Sequence, residues 1–142
     1  MKDFRDRVAV VTGGASGLGR AMALRFAREG MKVVLADIEQ KTLDATLAEF
    51  HQAGHEAISL RCDVSRPEDV EALAERTLAA FGAVHIVCNN AGVAPGGVIW
   101  EHSVKDWEWA MGPNVWGVIH GVRVFTPILL QQNTDAHIIN TA

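Results

Sequence analysis

Tyrosine is absent from this chain of 142 residues, and cysteine occurs only twice. No apolar run approaches the roughly 18 residues that a membrane-spanning helix requires. Without tyrosine, no phenol can pass a proton to a substrate. Residues 1–7 alternate charge with little apolar content, so no signal-peptide core stands there, and a cytoplasmic setting is expected. Basic residues are also scarce: 13 Lys and Arg against 17 Asp and Glu leave a net charge of −4. A surface for nucleic acid or anionic lipid needs clustered cations, so neither partner is expected. What the chain does have is apolar content of 49% with 21% charged residues, the balance of a folded globular protein. Its length suits one domain over residues 1–142 with a small-molecule partner.

The hydrophobic period alternates between the two regular values. Residues 7–11 are short, β-branched and apolar, and residues 18–29 then carry Leu18, Met22, Leu24 and Phe26 at helical spacing before Gly30. The same unit recurs as strand 32–37 with helix 40–53 before Gly54, and as strand 57–62 with helix 66–81 before Gly82. Each glycine occupies the place of a left-handed helix terminator. Ser65 and Glu68 read as a capping box with Pro67 in the first turn, and Ser103 with Asp106 as a second cap. A fourth strand, 84–89, leads through a glycine-rich loop, 92–97, into a long helix, 103–132, in which Pro113 predicts a kink. A last strand spans 136–141.

Strands alternating with helices of this length predict right-handed crossovers and a parallel α/β sheet covered on both faces. The expected fold is a doubly wound Rossmann sheet of order 3-2-1-4-5, with ligand at the switch point between strands 1 and 4. In that order three gaps of about 4.8 Å separate the strands of Cys62 and Cys88. A disulfide spans at most about 7 Å between Cα atoms, so both are expected as core thiols.

After strand 1 the chain reads Thr12-Gly13-Gly14-Ala15-Ser16-Gly17-Leu18-Gly19. Glycines here allow positive φ and bring the backbone against a diphosphate, while the free amides of the following helix attract the anion. Asp37 ends strand 2, roughly 20 residues beyond the glycines, where a carboxylate can accept both hydroxyls of an adenosine ribose. It would repel a 2′-phosphate, and neither Ala15 nor Ile38 supplies a cation, so NAD is expected over NADP. Capping of the helix that begins near Glu39 is the other reading of Asp37.

Strand 3 ends in Asp63-Val64 and strand 4 in Asn89-Asn90-Ala91-Gly92. With the spacing of Gly13, Gly17 and Gly19 behind Thr12, and Asn114 followed by Gly117, these segments resemble the classical short-chain dehydrogenase/reductase family. The resemblance covers essentially the whole chain. It implies that Asp63 and Val64 hold adenine, and that Asn90, Ala91 and Gly92 line the ribose and steady the sheet; the plainer reading makes the asparagines turn residues. It implies a role for Asn114 in the proton relay, against the alternative that it fills the kink beside Pro113, a proline at which the chain departs from the family. Family chemistry moves a hydride between nicotinamide and an alcohol or carbonyl carbon through a serine, a tyrosine and a lysine. Here there is no tyrosine, no serine after Ser103 and no lysine after Lys105. The chain therefore reads as the cofactor-binding half of an oxidoreductase, binding weakly and inactive alone.

Other patterns are fainter. The histidines form no set with metal-ligand spacing. Trp100, Trp107, Trp109 and Trp116 are expected against the core or a partner subunit, with a substrate-facing role as the alternative. Residues 115–130 are apolar around most of the helix, which suggests a homo-oligomer through helix 103–132. Two further readings stand beside the oxidoreductase: a non-catalytic dinucleotide-binding module, and a methyltransferase using S-adenosylmethionine, against which the segment 89–92 speaks.

Overall fold

Strand β1 (Val8–Thr12) is buried at every position. Val8 and Val10 pack into one apolar cluster and Ala9 and Val11 into another, so the strand is covered on both faces and must be apolar throughout. The computed structural model describes residues 1 and 3–142. After β1 come α1 (Gly17–Arg28), β2 (Lys32–Asp37), α2 (Gln40–Gln52), β3 (Ala57–Arg61), α3 (Pro67–Phe81) and β4 (Ile86–Asn89). Then follow a short 3-10 turn (Ile99–Glu101), α4 (Val104–Met111), a π-helical turn (Gly112–Trp116), α5 (Gly117–Gln132) and β5 (His137–Asn140).

The sheet has the order β3-β2-β1-β4-β5 with every pair parallel, as the alternation of periods predicts. Val10 pairs with Val34 on one side and Val87 on the other, which places β1 at the point where the winding reverses. One cluster joins the sheet to α3 and α5 through Val70, Leu73, Phe125 and Leu129. The other joins it to α1 and α2 through Ala23, Ala27, Leu43 and Phe50. Helix ends follow the glycine signals, with Gly30, Gly54 and Gly82 all at positive φ. Cys62 and Cys88 are free and buried.

The expected element bounds shift by a residue or two, the usual slack at frayed ends. Three differences go further. Ser65 and Glu68 form no capping box: the N-cap of α3 is Arg66, and the Ser65 hydroxyl donates instead to Asp63 Oδ1 at 2.6 Å. Glu68 pairs with Arg66, while Asp69 accepts from the Asp63 amide at 2.9 Å. The Asp63 carboxylate thus takes both Ser65 groups that a simple cap would use. The long helix is not continuous either, because the chain passes Pro113 through a wider π-helical turn that needs no amide from the proline. A second proline that the pattern hides, Pro127, lies inside α5 without ending it. Ser103 and Asp106 do form the reciprocal cap of α4. Finally, no tryptophan enters the core: Trp100, Trp107, Trp109 and Trp116 are all exposed.

Candidate functional site

At the carboxyl edge of the sheet the turn from β1 into α1 folds so tightly that Gly13 and Gly19 have little room for a side chain. A Cβ on Gly19 would lie 2.0 Å from the Gly13 carbonyl oxygen, and one on Gly13 would lie 3.0 Å from Ala91 Cα. Gly13 and Gly17 both take positive φ, 64° and 51°, and beside Gly17 there is open space. Ser16 is the N-cap of α1, yet its side chain makes no cap bond, and the first turn contains no acid. The positive end of this helix therefore faces the cleft without a counter-charge.

The loop is tied to β4 through Thr12. Its buried hydroxyl donates to the Cys88 carbonyl and accepts from the amides of Asn90 and Ala91, at 2.9 and 3.0 Å. The Asn90 side chain closes the link by donating to the Thr12 carbonyl at 3.0 Å. Asn89 pairs with Asn140 across the β4–β5 register, its Nδ2 donating at 2.9 Å, while its Oδ1 is buried without a partner among the described residues. Sequence reasoning placed Thr12 only as a landmark before the glycines and did not see the Asn89–Asn140 pair; a polar residue at a strand end is the only signal either leaves.

Asp37 carries two backbone amides on one carboxylate. Oδ2 accepts from Ala15 at 3.0 Å and Oδ1 from Glu39 at 3.1 Å, so it fastens the glycine loop to β2 and also orders the start of α2. Asp63 accepts from the amide and hydroxyl of Ser65. Val64 is buried against α5, where a Cβ on Gly117 would come within 2.6 Å of its Cγ2. Gly92 faces Asn114 Oδ1, and Asn114 brackets Val93, accepting from its amide and donating to its carbonyl at 2.8 Å each. The π-helical turn is thereby pinned to the loop after β4.

These strand ends enclose a cleft of about 740 Å³. Gly13, Ser16, Gly17, Leu18, Gly19, Asp37, Asp63, Val64, Asn90, Ala91 and Gly92 all line it, together with Trp109, one of the four tryptophans with a substrate-facing alternative, and with Ile38, Ser65, Glu108, Gly112 and Pro113, to which the sequence assigns no ligand role. None of the lining residues is a lysine or arginine. The Cys62 thiol at its floor is pushed up to about 12 by burial, with Asp69 and Asp63 adding to the effect, so it stays protonated and inert. Asn114 belongs to a second cavity of about 380 Å³, which meets the first at Val93 and is walled by Pro95, Ile99, Trp107 and Met111. Among the described residues no group of His, Cys, Asp and Glu could hold a metal.

A parallel, doubly wound sheet with a glycine-lined cleft at its reversal point defines the Rossmann class. The family pattern described as short chain dehydrogenase matches residues 7–142. The chain belongs to this family, which sets aside the methyltransferase reading. It is similar to a short-chain dehydrogenase/reductase of Burkholderia phymatum solved in complex with NAD, at 54% identity and a TM-score of 0.97, covering 100% of this chain and 50% of that one. The apo form of LigO from Sphingobium shows 37% identity and a TM-score of 0.96, covering 100% of this chain and 53% of that one. Among curated proteins, a "CLA biosynthesis dehydrogenase/reductase" of Lactiplantibacillus plantarum is 37% identical over 142 residues, 100% of this chain and 50% of its own length. The chain thus spans about half the length of such relatives.

Proposed function

We propose that residues 1–142 form a single dinucleotide-binding domain, which takes NAD in the cleft and serves an oxidoreductase acting on an alcohol or carbonyl compound. The observation that carries this reading is the fit of the cleft to a diphosphate: Gly19 and Gly13 leave no room for side chains, and the start of α1 beyond them has neither cap nor acid. In this reading the amides around Ser16, Gly17, Leu18 and Gly19 hold the diphosphate. Asp37 accepts the adenosine ribose hydroxyls, Asp63 and Val64 flank the adenine, and Asn90, Ala91 and Gly92 line the second ribose. A cleft wall without lysine or arginine beside Asp37 favours NAD over NADP. Bound NAD supplies a hydride acceptor at its nicotinamide ring. In this reading Asn114, clamped to Val93 where the two cavities meet, takes part in the proton relay.

The absence of tyrosine favours a second statement: these residues bind cofactor without turning over an alcohol by themselves. Two buried, free thiols support a cytoplasmic setting. Exposed Trp116, Ile119 and Val122 on the helical face support a homo-oligomer built on α4 and α5.

Calorimetric titration with NAD and NADP tests the cofactor reading. NAD binds more tightly, and Gly19→Ala, which drives a methyl group into the Gly13 carbonyl, weakens NAD at least about tenfold while the protein still melts cooperatively. Equal binding of NAD by that variant, or tighter binding of NADP by the native chain, contradicts it.

A further inference from the structure

Trp109 stands on α4 at the rim of the cleft, 55% exposed and in no aromatic pair or hydrogen bond among the described residues. Burial does not explain it, and neither does packing. Gly112 and Pro113, about one helical turn further on, share its side of the helix and line the same cleft. Gly112 lets this side settle onto the turn between β3 and α3, for a Cβ there would lie 3.1 Å from Ser65 Cβ. Trp109 lines the same cleft as Asp63, Val64 and Ile38. Its neighbour in sequence terms, Trp107, lines the other cavity together with Asn114 and Met111. The two indoles are thus divided between the two cavities, which share Val93.

A flat apolar ring lining a cleft that also carries the apolar side chains of Ile38 and Val64 and the Asp37 and Asp63 carboxylates suits a flat base with hydrogen-bond donors at its edge. Purines have that character. We propose that Trp109 is the stacking surface for the adenine base of the cofactor, with Val64 on the inner side, so that the adenine half of the dinucleotide is gripped by an aromatic residue on α4. This rests on the dinucleotide reading above and adds to it the residue that discriminates the two halves of the cofactor.

Titrating AMP, nicotinamide mononucleotide and NAD into the 142-residue protein and into Trp109→Ala and Trp109→Phe separates the possibilities. Trp109→Ala loses about tenfold in affinity for AMP and for NAD, the scale of a nucleobase stacked on an aromatic ring, and Trp109→Phe keeps most of it. Nicotinamide mononucleotide binds all three proteins equally, and their melting temperatures agree because the side chain is exposed. AMP bound by Trp109→Ala as tightly as by the native protein overturns the assignment while leaving the dinucleotide reading intact. An equal loss for nicotinamide mononucleotide also overturns it, since the effect is then not specific to adenine. Failure of the native protein to bind NAD or AMP overturns both readings.

Discussion

One hydroxyl at Thr12 answers three backbone groups, and one carboxylate at Asp37 answers two more. Both residues hold the glycine loop in place before any ligand arrives. Asp37 also decides between cofactors in our reading, through charge. Replacing Asp37 by Ser and Ile38 by Arg removes the repulsion and adds a cation, so the preference between NAD and NADP shifts by at least about tenfold toward NADP, as competitive titration reads. A different residue governs acid sensitivity. His85 is nearly enclosed, and its Nδ1 accepts from the Val8 amide at 3.1 Å, which requires the neutral ring. Burial, with Arg7 nearby, lowers its pKa below the ordinary imidazole value. Its contribution is fully present above the unfolded-state pKa, roughly 6.5, and is lost as the pH falls through the lower folded value. The native protein therefore loses melting temperature between about pH 7 and pH 5 more steeply than His85→Gln, and parallel curves contradict this origin.

Helix α5 shows how an element is seated by what it omits. Its glycines do permit close approach, and the structure shows that the approach is to the carboxyl edge of the sheet: Gly117 meets Val64 in the turn after β3, and a Cβ on Gly121 would lie 2.0 Å from Asn89 Oδ1. Asn89 cannot retreat without losing its bond to Asn140. Gly121→Ala is expected to cost about 1–3 kcal/mol in urea unfolding, and Gly117→Ala less, because a valine methyl yields more readily than a pinned amide. The turn before α5 was legible as a break at Pro113 but not as a π-helical turn. Its geometry depends on Asn114 reaching Val93, 21 residues away in sequence. No helical period carries that information. The failed cap at Ser65 has a local cause, since Asp63, two residues before it, accepts from both its amide and its hydroxyl.

Across the whole molecule the apolar surface is unevenly distributed. Both faces of the sheet are filled, yet Trp116, Ile119 and Val122 are exposed on the helical side. If a second copy covers them, as proposed, sedimentation shows an oligomer at micromolar concentration, and Ile119→Glu shifts it to monomer; a native monomer contradicts the interface. No described helix is long and apolar enough to cross a membrane. The alternation of β-branched runs with amphipathic ones determined the element order, the parallel sheet and its winding, because period and burial are properties of local sequence. The glycines after β1 and the short polar residues after β2, β3 and β4 pointed to one edge, since a doubly wound sheet brings all its carboxyl ends together. Only the tertiary structure decided which hydroxyl would tie Thr12 to Asn90, which tryptophan would face which cavity, and how Asn114 would clamp Val93. Those contacts join segments that lie far apart in the chain, and their geometry exists only once the sheet has assembled.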